Sequence, residues 1–198
     1  MTNAHGHYLG DARFDAVFGK LDKRKAVIFI HPTQCHAKDH PDAERPLAQY
    51  PAPMLEYYFD TTRAVVNLLL SGTATRYPDL RFLVLYCGAV LPPLVERFSV
   101  FSSLVLSAGH RFSSSDVKEI FKSQFYFDLA GFLFPDLFHG YLRVGDGSRL
   151  LYGSDYPYTL ANKVVELRET MDEGLWKLFD HHVMKKIYVE NAWQLLGL

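Results

Sequence analysis

The sequence predicts an α/β protein built on a parallel sheet, and three observations point there. Apolar runs of strand length alternate with segments of helical period, the order that a parallel sheet with crossover helices requires. The most apolar run, residues 80–89 (LRFLVLYCGA), has almost no polar position, as expected of a strand covered on both faces. Two other runs end on a chemically capable side chain beside a proline: KAVIFI at 25–30 delivers His31-Pro32, and LLYGSDYP at 150–157 delivers Asp155 into a tight turn. An imidazole and a carboxylate, remote in sequence, thus reach strand ends where such sheets collect their chemistry, a pattern that reads as a metal site.

In chain order, residues 11–23 (DARFDAVFGKLDK) place Phe14, Val17, Phe18 and Leu21 at i, i+3, i+4 and i+7, the spacing of an amphipathic helix. The strand at 25–30 follows. A polar loop rich in Pro and His at 33–53 is longer than a simple connection needs, which marks it as a functional loop. A helix is expected over 61–72, then the buried strand at 80–89, then a helix opened by Pro92-Pro93. Residues 102–122 read as helical with a break at HRFSSS and Ser115 as the restarting N-cap. QFYFDLA at 124–130 alternates as a strand, and a Pro-containing loop with a short helix leads to the strand at 150–157. Two helices, 162–178 and 180–196, close the chain, with Gly197 ending the second.

The chain has 198 residues, 48% hydrophobic and 15% aromatic, enough for one compact core and a single domain over 1–198. Twenty-one basic against 22 acidic residues, with no long run of either sign, give no electrostatic case for a nucleic-acid or anionic-membrane partner. A small substrate is expected instead. MTNAHGHYLGD has no basic segment followed by an apolar one, and no stretch approaches membrane-spanning length, so a soluble cytoplasmic protein is expected. Cys35 and Cys87 form no C-x-x-C pair and read as free thiols in a reducing compartment.

An open doubly wound sheet and a (β/α)8 barrel both satisfy this order, and both would put His31, Tyr86, Asp128 and Asp155 at C-terminal strand ends. No glycine-rich phosphate loop follows any strand, which disfavours nucleotide binding. Each candidate has a plainer reading. His31 alone could be a solvent-facing residue at a strand end, and Asp155 an Asx-turn or helix-cap residue before Pro157. Asp128 reads as a hydrogen-bonding group at its strand end, Arg63 as an ion-pair partner on a helix face, and His181-His182 as surface residues. His36 and His40 sit with Lys38, Asp39 and Asp42 in the long loop, where solvated residues are the norm. His5-Gly6-His7 has no apolar strand beside it to aim its imidazoles at a site.

Six segments taken in order, strand-HP at His31, FDTTRAVVNLLLSG from Phe59, RYPDLRFLVLYCGAVLP from Arg76, YFDLAG from Tyr126, LLYGSDYPYT from Leu150 and NAWQLL from Asn191, resemble the amidohydrolase-related decarboxylases. That family includes aminocarboxymuconate-semialdehyde decarboxylase, and the likeness is closest to the 6-methylsalicylate decarboxylase type of aromatic-polyketide pathways in secondary metabolism. The resemblance implies a (β/α)8 barrel of which this chain supplies the last four strands. It implies a divalent metal, zinc or manganese, with His31 and Asp155 as ligands. It also implies a small aromatic or unsaturated carboxylic acid as substrate, with Asp155 as a possible proton relay.

Two departures from the family pattern follow. The family's first strand bears an H-x-H or E-x-H pair that has no equivalent here, so metal is expected to be held weakly. Tyr86 stands where the family has a proton-transferring histidine, and a phenol of pKa near 10 is a poor shuttle at neutral pH. Cys87 could replace a ligand, but strand alternation aims it opposite to Tyr86 and out of the barrel. Half a barrel also leaves open edges at KAVIFI and LLYGS, so a homo-oligomer is expected. Besides a carboxy-lyase, the sequence leaves two alternatives: a catalytically impaired homologue acting as a partner subunit, and a metal-dependent hydrolase.

Overall fold

The computed structural model describes residues 1–33, 49–105 and 111–198; Cys35, His36 and His40 lie outside the described residues. The chain opens on an antiparallel hairpin, β1 (Asn3–Ala4) and β2 (His7–Tyr8), that the sequence reading did not expect. Its turn residues His5 and Gly6 have φ of 52° and 79°, the double left-handed step of a two-residue hairpin loop. Gly at the second position removes the steric cost there. The hairpin leads through a 3-10 turn into α1 (Asp15–Asp22), shorter than the periodicity suggested.

Four strands follow with helices between them: β3 (Val27–Ile30), α2 (Glu56–Leu70) and α3 (Thr73–Arg76), β4 (Arg81–Val84), α4 (Val95–Leu104) and α5 (Ser114–Gln124), β5 (Phe125–Asp128), α6 (Asp136–Tyr141), and β6 (Leu150–Leu151). All pair in parallel, in the order β3-β4-β5-β6. Each strand therefore lies beside its successor with no reversal. A doubly wound sheet has a switch point where the order reverses, whereas a barrel wall runs on in sequence, so the order observed is that of a barrel segment.

The two faces of this sheet are chemically unlike. On the outer face Ile30, Phe82, Val84, Phe125, Phe127 and Leu150 are almost wholly buried beneath the helices. The register places Phe82 opposite Phe125, whose rings stack at 4.9 Å, and Phe121 of α5 meets Phe125 and Phe127 edge-on at 5.3 and 5.5 Å. Burial of each such ring contributes roughly 1.5–3 kcal/mol, so these aromatics anchor helix to sheet. On the inner face, Val27 and Phe29 are 37% and 46% exposed.

Helix α2 begins at Glu56, five residues earlier than its apolar periodicity indicates. At α5 the N-cap is Ser113, not Ser115: its hydroxyl accepts the Asp116 amide at 3.2 Å while Asp116 accepts the Ser113 amide at 2.8 Å. That reciprocal box needs the cap three residues before the acid, a spacing that only Ser113 satisfies. The chain ends in α7 (Ala161–Trp176), α8 (His181–Lys185), a π-helical segment (Lys186–Glu190) and α9 (Asn191–Leu196). This last stretch corrects the expectation of an open edge at LLYGS. The Tyr152 amide donates to the Ile187 carbonyl at 3.2 Å, and the buried Asn191 amide donates to the carbonyls of Gly147 and Leu150, each at 2.8 Å.

Candidate functional site

The inner face borders a cavity of ≈ 680 Å³. Its apolar walls come from alternate strand positions, Val27 and Phe29 of β3, Leu83 and Leu85 at β4, and Leu151 of β6, with Ala192, Leu195 and Leu196 of α9 alongside. Its polar groups are His31, Asp128 and Asp155, with Tyr152, Tyr156 and Tyr158 around them. Largely apolar walls with a few convergent polar groups are what a small aromatic ligand requires. His31 and Asp155 are therefore brought to one cavity. Among its described lining residues there is no Lys or Arg, so its ionisable groups are one imidazole, two carboxyls and phenols.

His31 sits one residue past the end of β3, half-buried, with its ring 5.7 Å from that of Phe29 and 5.9 Å from that of Tyr158. Its Nδ1 lies 2.9 Å from the Pro32 carbonyl. A carbonyl only accepts, so Nδ1 is the donor, and in the neutral ring that leaves the Nε2 lone pair for a ligand. Asp155 has φ of 58°, a left-handed conformation that Asp tolerates, and its carboxylate accepts from the Thr159 hydroxyl at 3.3 Å. It does not cap α7, whose N-cap is Leu160.

Tyr86 donates to Asp155 Oδ2 at 3.4 Å. Its ring is stacked on Tyr58 of α2 at 5.0 Å, and Gly131 borders both rings, leaving room that a Cβ would fill at 3.2 Å from the Tyr86 ring and 3.6 Å from the Tyr58 hydroxyl. Burial, reinforced by Asp155, pushes the Tyr86 phenol far above its usual range, and burial drives Tyr58 up to about 12. Both phenols are donors at neutral pH, not bases.

Cys87 lies away from the cavity, as expected, but not because of strand alternation. The strand stops at Val84, and Tyr86, Cys87, Gly88 and Ala89 follow with φ of 57°, 52°, 82° and 56°. Strand alternation does not apply to such a run. The left-handed turn swings the Tyr86 ring toward Asp155 while Cys87 packs into the core, 1% exposed, its thiol pushed up by burial. Three non-glycine residues in that region are strained, and such strain concentrates at functional sites. Asp128 helps hold the turn, its Oδ1 accepting the amides of Tyr86 at 2.9 Å and Ala130 at 3.2 Å. Burial raises its carboxyl to about 7 against the pull of those two bonds.

The remaining candidates lie elsewhere. His7 is 3.5 Å from Asp11 and in contact with Arg13, and His181 and His182 are exposed, the former against Trp176. Arg63 lies over the Phe59 ring at 6.0 Å, a cation–π contact, and among the described residues it makes no ion pair of the kind expected. Tyr58 and Gly131 escaped sequence reasoning. A tyrosine within YYF reads as ordinary core, and only the glycine in DLAG hinted at a close approach.

For a divalent ion, the fitting donors are His31 Nε2 and the Asp155 carboxylate. Among the described residues no group of three or more His, Cys, Asp or Glu is arranged to hold one. Catalytic zinc sites use three protein ligands and an open position, so this set fits an ion in part.

Fold and site together define an amidohydrolase: the family model of that description matches residues 2–198, and the chain belongs to the family. Its relatives narrow the comparison. The chain is 35% identical over 175 residues to the decarboxylase macB of Penicillium terrestre, covering 82% of this chain and 49% of that protein. It is 32% identical over 152 residues to the 6-methylsalicylic acid decarboxylase of Penicillium expansum, covering 76% of this chain and 44% of that one. The chain thus spans about half the length of these curated relatives. Among solved structures, it matches 5-carboxyvanillate decarboxylase of Novosphingobium aromaticivorans with a TM-score of 0.82 at 20% identity, over 100% of this chain and 55% of that one. That protein was crystallised with manganese and 4-hydroxy-3-methoxy-5-nitrobenzoic acid. The likeness is one of fold, and the four strands here are part of a barrel wall.

Proposed function

We propose that the chain carries the proton-handling wall of a carboxy-lyase that decarboxylates a small aromatic acid of the 6-methylsalicylate kind. The observation that supports this best is the convergence of His31 and Asp155, with Tyr86 bonded to Asp155, at one cavity with apolar walls. The name borne by the Penicillium expansum relative points to the same substrate class.

In such a reaction the carboxyl-bearing ring carbon takes up a proton, the bond to the carboxylate breaks, and its electron pair returns to the ring as carbon dioxide leaves. Asp155 would pass the proton, held by the Tyr86 hydroxyl, and the apolar walls would hold the ring and exclude water. A substrate carboxylate beside Asp128 and Asp155 needs a cation. A divalent ion, manganese or zinc, held by His31 Nε2 and Asp155 would supply that charge when bound. The exposed cavity-lining residues Phe29 and Tyr158 give a second copy of the chain an apolar surface to cover, hence the reading of a homo-oligomer. No helix among the described residues is long and apolar enough to cross a membrane, and a cytoplasmic place in aromatic secondary metabolism is part of the same proposal.

One observation favours a second reading, a catalytically impaired homologue: the phenol of Tyr86 stays protonated where the family pattern has a histidine. Incubating the purified chain with 6-methylsalicylate and Mn²⁺ decides between them. The proposal expects 3-methylphenol and carbon dioxide, reduced about 100-fold or more by Asp155→Asn. Substrate binding without product would sustain the second reading.

A further inference from the structure

Asp60, on the buried side of α2, is 1% exposed, and among the described residues it is held by neutral donors, with no Lys or Arg hydrogen-bonded to it. Its Oδ1 accepts the Tyr8 hydroxyl at 2.6 Å, and its Oδ2 accepts the Asn3 amide at 3.2 Å and the Thr2 hydroxyl at close range. A buried carboxylate is costly unless both oxygens are satisfied, so this arrangement ties residues 2–8 firmly to α2. Thr2 and Asn3 also reach across to the segment that follows β3. Thr2 Oγ1 lies 3.0 Å from Thr33 Oγ1, and Asn3 donates to that hydroxyl at 3.4 Å. Thr33 follows Pro32, whose carbonyl receives His31 Nδ1.

From this chain of bonds we infer that Asp60 is a positioning residue for His31: through Thr2, Asn3 and Thr33 it sets the Pro32 carbonyl that orients the imidazole and leaves Nε2 facing the cavity. The inference deepens the proposed role of His31 and rests on it. It also gives the aspartate of FDTTR a task that helix periodicity does not require. Partners that orient a functional histidine matter nearly as much as the histidine itself, with losses of 10–100-fold on mutation.

The test follows from polarity. In Asp60→Asn one acceptor oxygen becomes an NH₂ that faces the Asn3 NH₂, whereas adding Asn3→Asp restores a hydrogen bond of reversed direction. The readout is the imidazole Cε1–H signal of His31 by NMR, assigned with His31→Gln, alongside turnover of 6-methylsalicylate. We expect Asp60→Asn to shift or broaden the His31 signal selectively among the nine histidines. Turnover should fall about tenfold, and the double variant should restore both. Should Asp60→Asn not fold, Thr33→Val removes only the linking hydroxyl and must move the same signal. An unmoved His31 signal in a folded variant, or movement of all imidazoles together, overturns the inference. If the signal moves as expected while wild type makes no product, the positioning role stands and the proposed function fails.

Discussion

Asp128 is the residue whose burial has the most direct consequence for pH. Desolvation raises its carboxyl to about 7 in the folded chain, against roughly 3.9 when unfolded. The folded state therefore binds the extra proton between these values. The stability this contributes is complete below about pH 4 and is lost as pH rises through 7. Asp128→Asn keeps an oxygen for the amides of Tyr86 and Ala130 but cannot ionise. Its melting temperature should gain on wild type by about 3 °C or more between pH 5 and pH 8; a gap independent of pH would show that Asp128 is not desolvated. At this scale His31 and Asp155 were legible in the sequence, because each follows an apolar strand and stands beside or just before proline. Tyr86 was placed at a strand end by the strand reading, and only family resemblance singled it out as the counterpart of a proton-transferring histidine. The left-handed turn that aims it is set by bonds to Asp128, 42 positions away, and no local pattern encodes them.

At the scale of elements, the chain end seals the sheet. Asn191, 3% exposed, spends its amide on two carbonyls at the start of β6, which explains why NAWQLL begins with asparagine. Asn191→Ala leaves those carbonyls unsatisfied and should lower the melting temperature by on the order of 4–8 °C. An unchanged melting temperature would mean that water replaces the amide freely. Apolar runs revealed all four parallel strands, although the strands proper are short: β4 stops at Val84 and β6 at Leu151. The runs continue apolar beyond these points because turn and loop residues are buried too, so hydrophobicity alone overestimates strand length. The first hairpin was missed because two-residue strands carry no periodicity, and its only signal was the Gly6 turn.

For the whole molecule, a sheet in unbroken sequential order gives a wall with one face packed under helices and the other open to a cavity. Composition and strand order in the sequence were enough to foresee the parallel sheet, and resemblance was needed to choose barrel over doubly wound. The inner face could not be read as exposed, since exposure there depends on what else stands across the cavity. The chemistry proposed for this wall rests on His31 and Asp155 lining one cavity. Paramagnetic broadening by Mn²⁺ tests that convergence directly. The His31 Cε1–H signal should broaden before those of the other imidazoles, and Asp155→Asn should abolish the selectivity. Broadening that begins at another histidine, or that is unaffected by Asp155→Asn, would contradict a shared site.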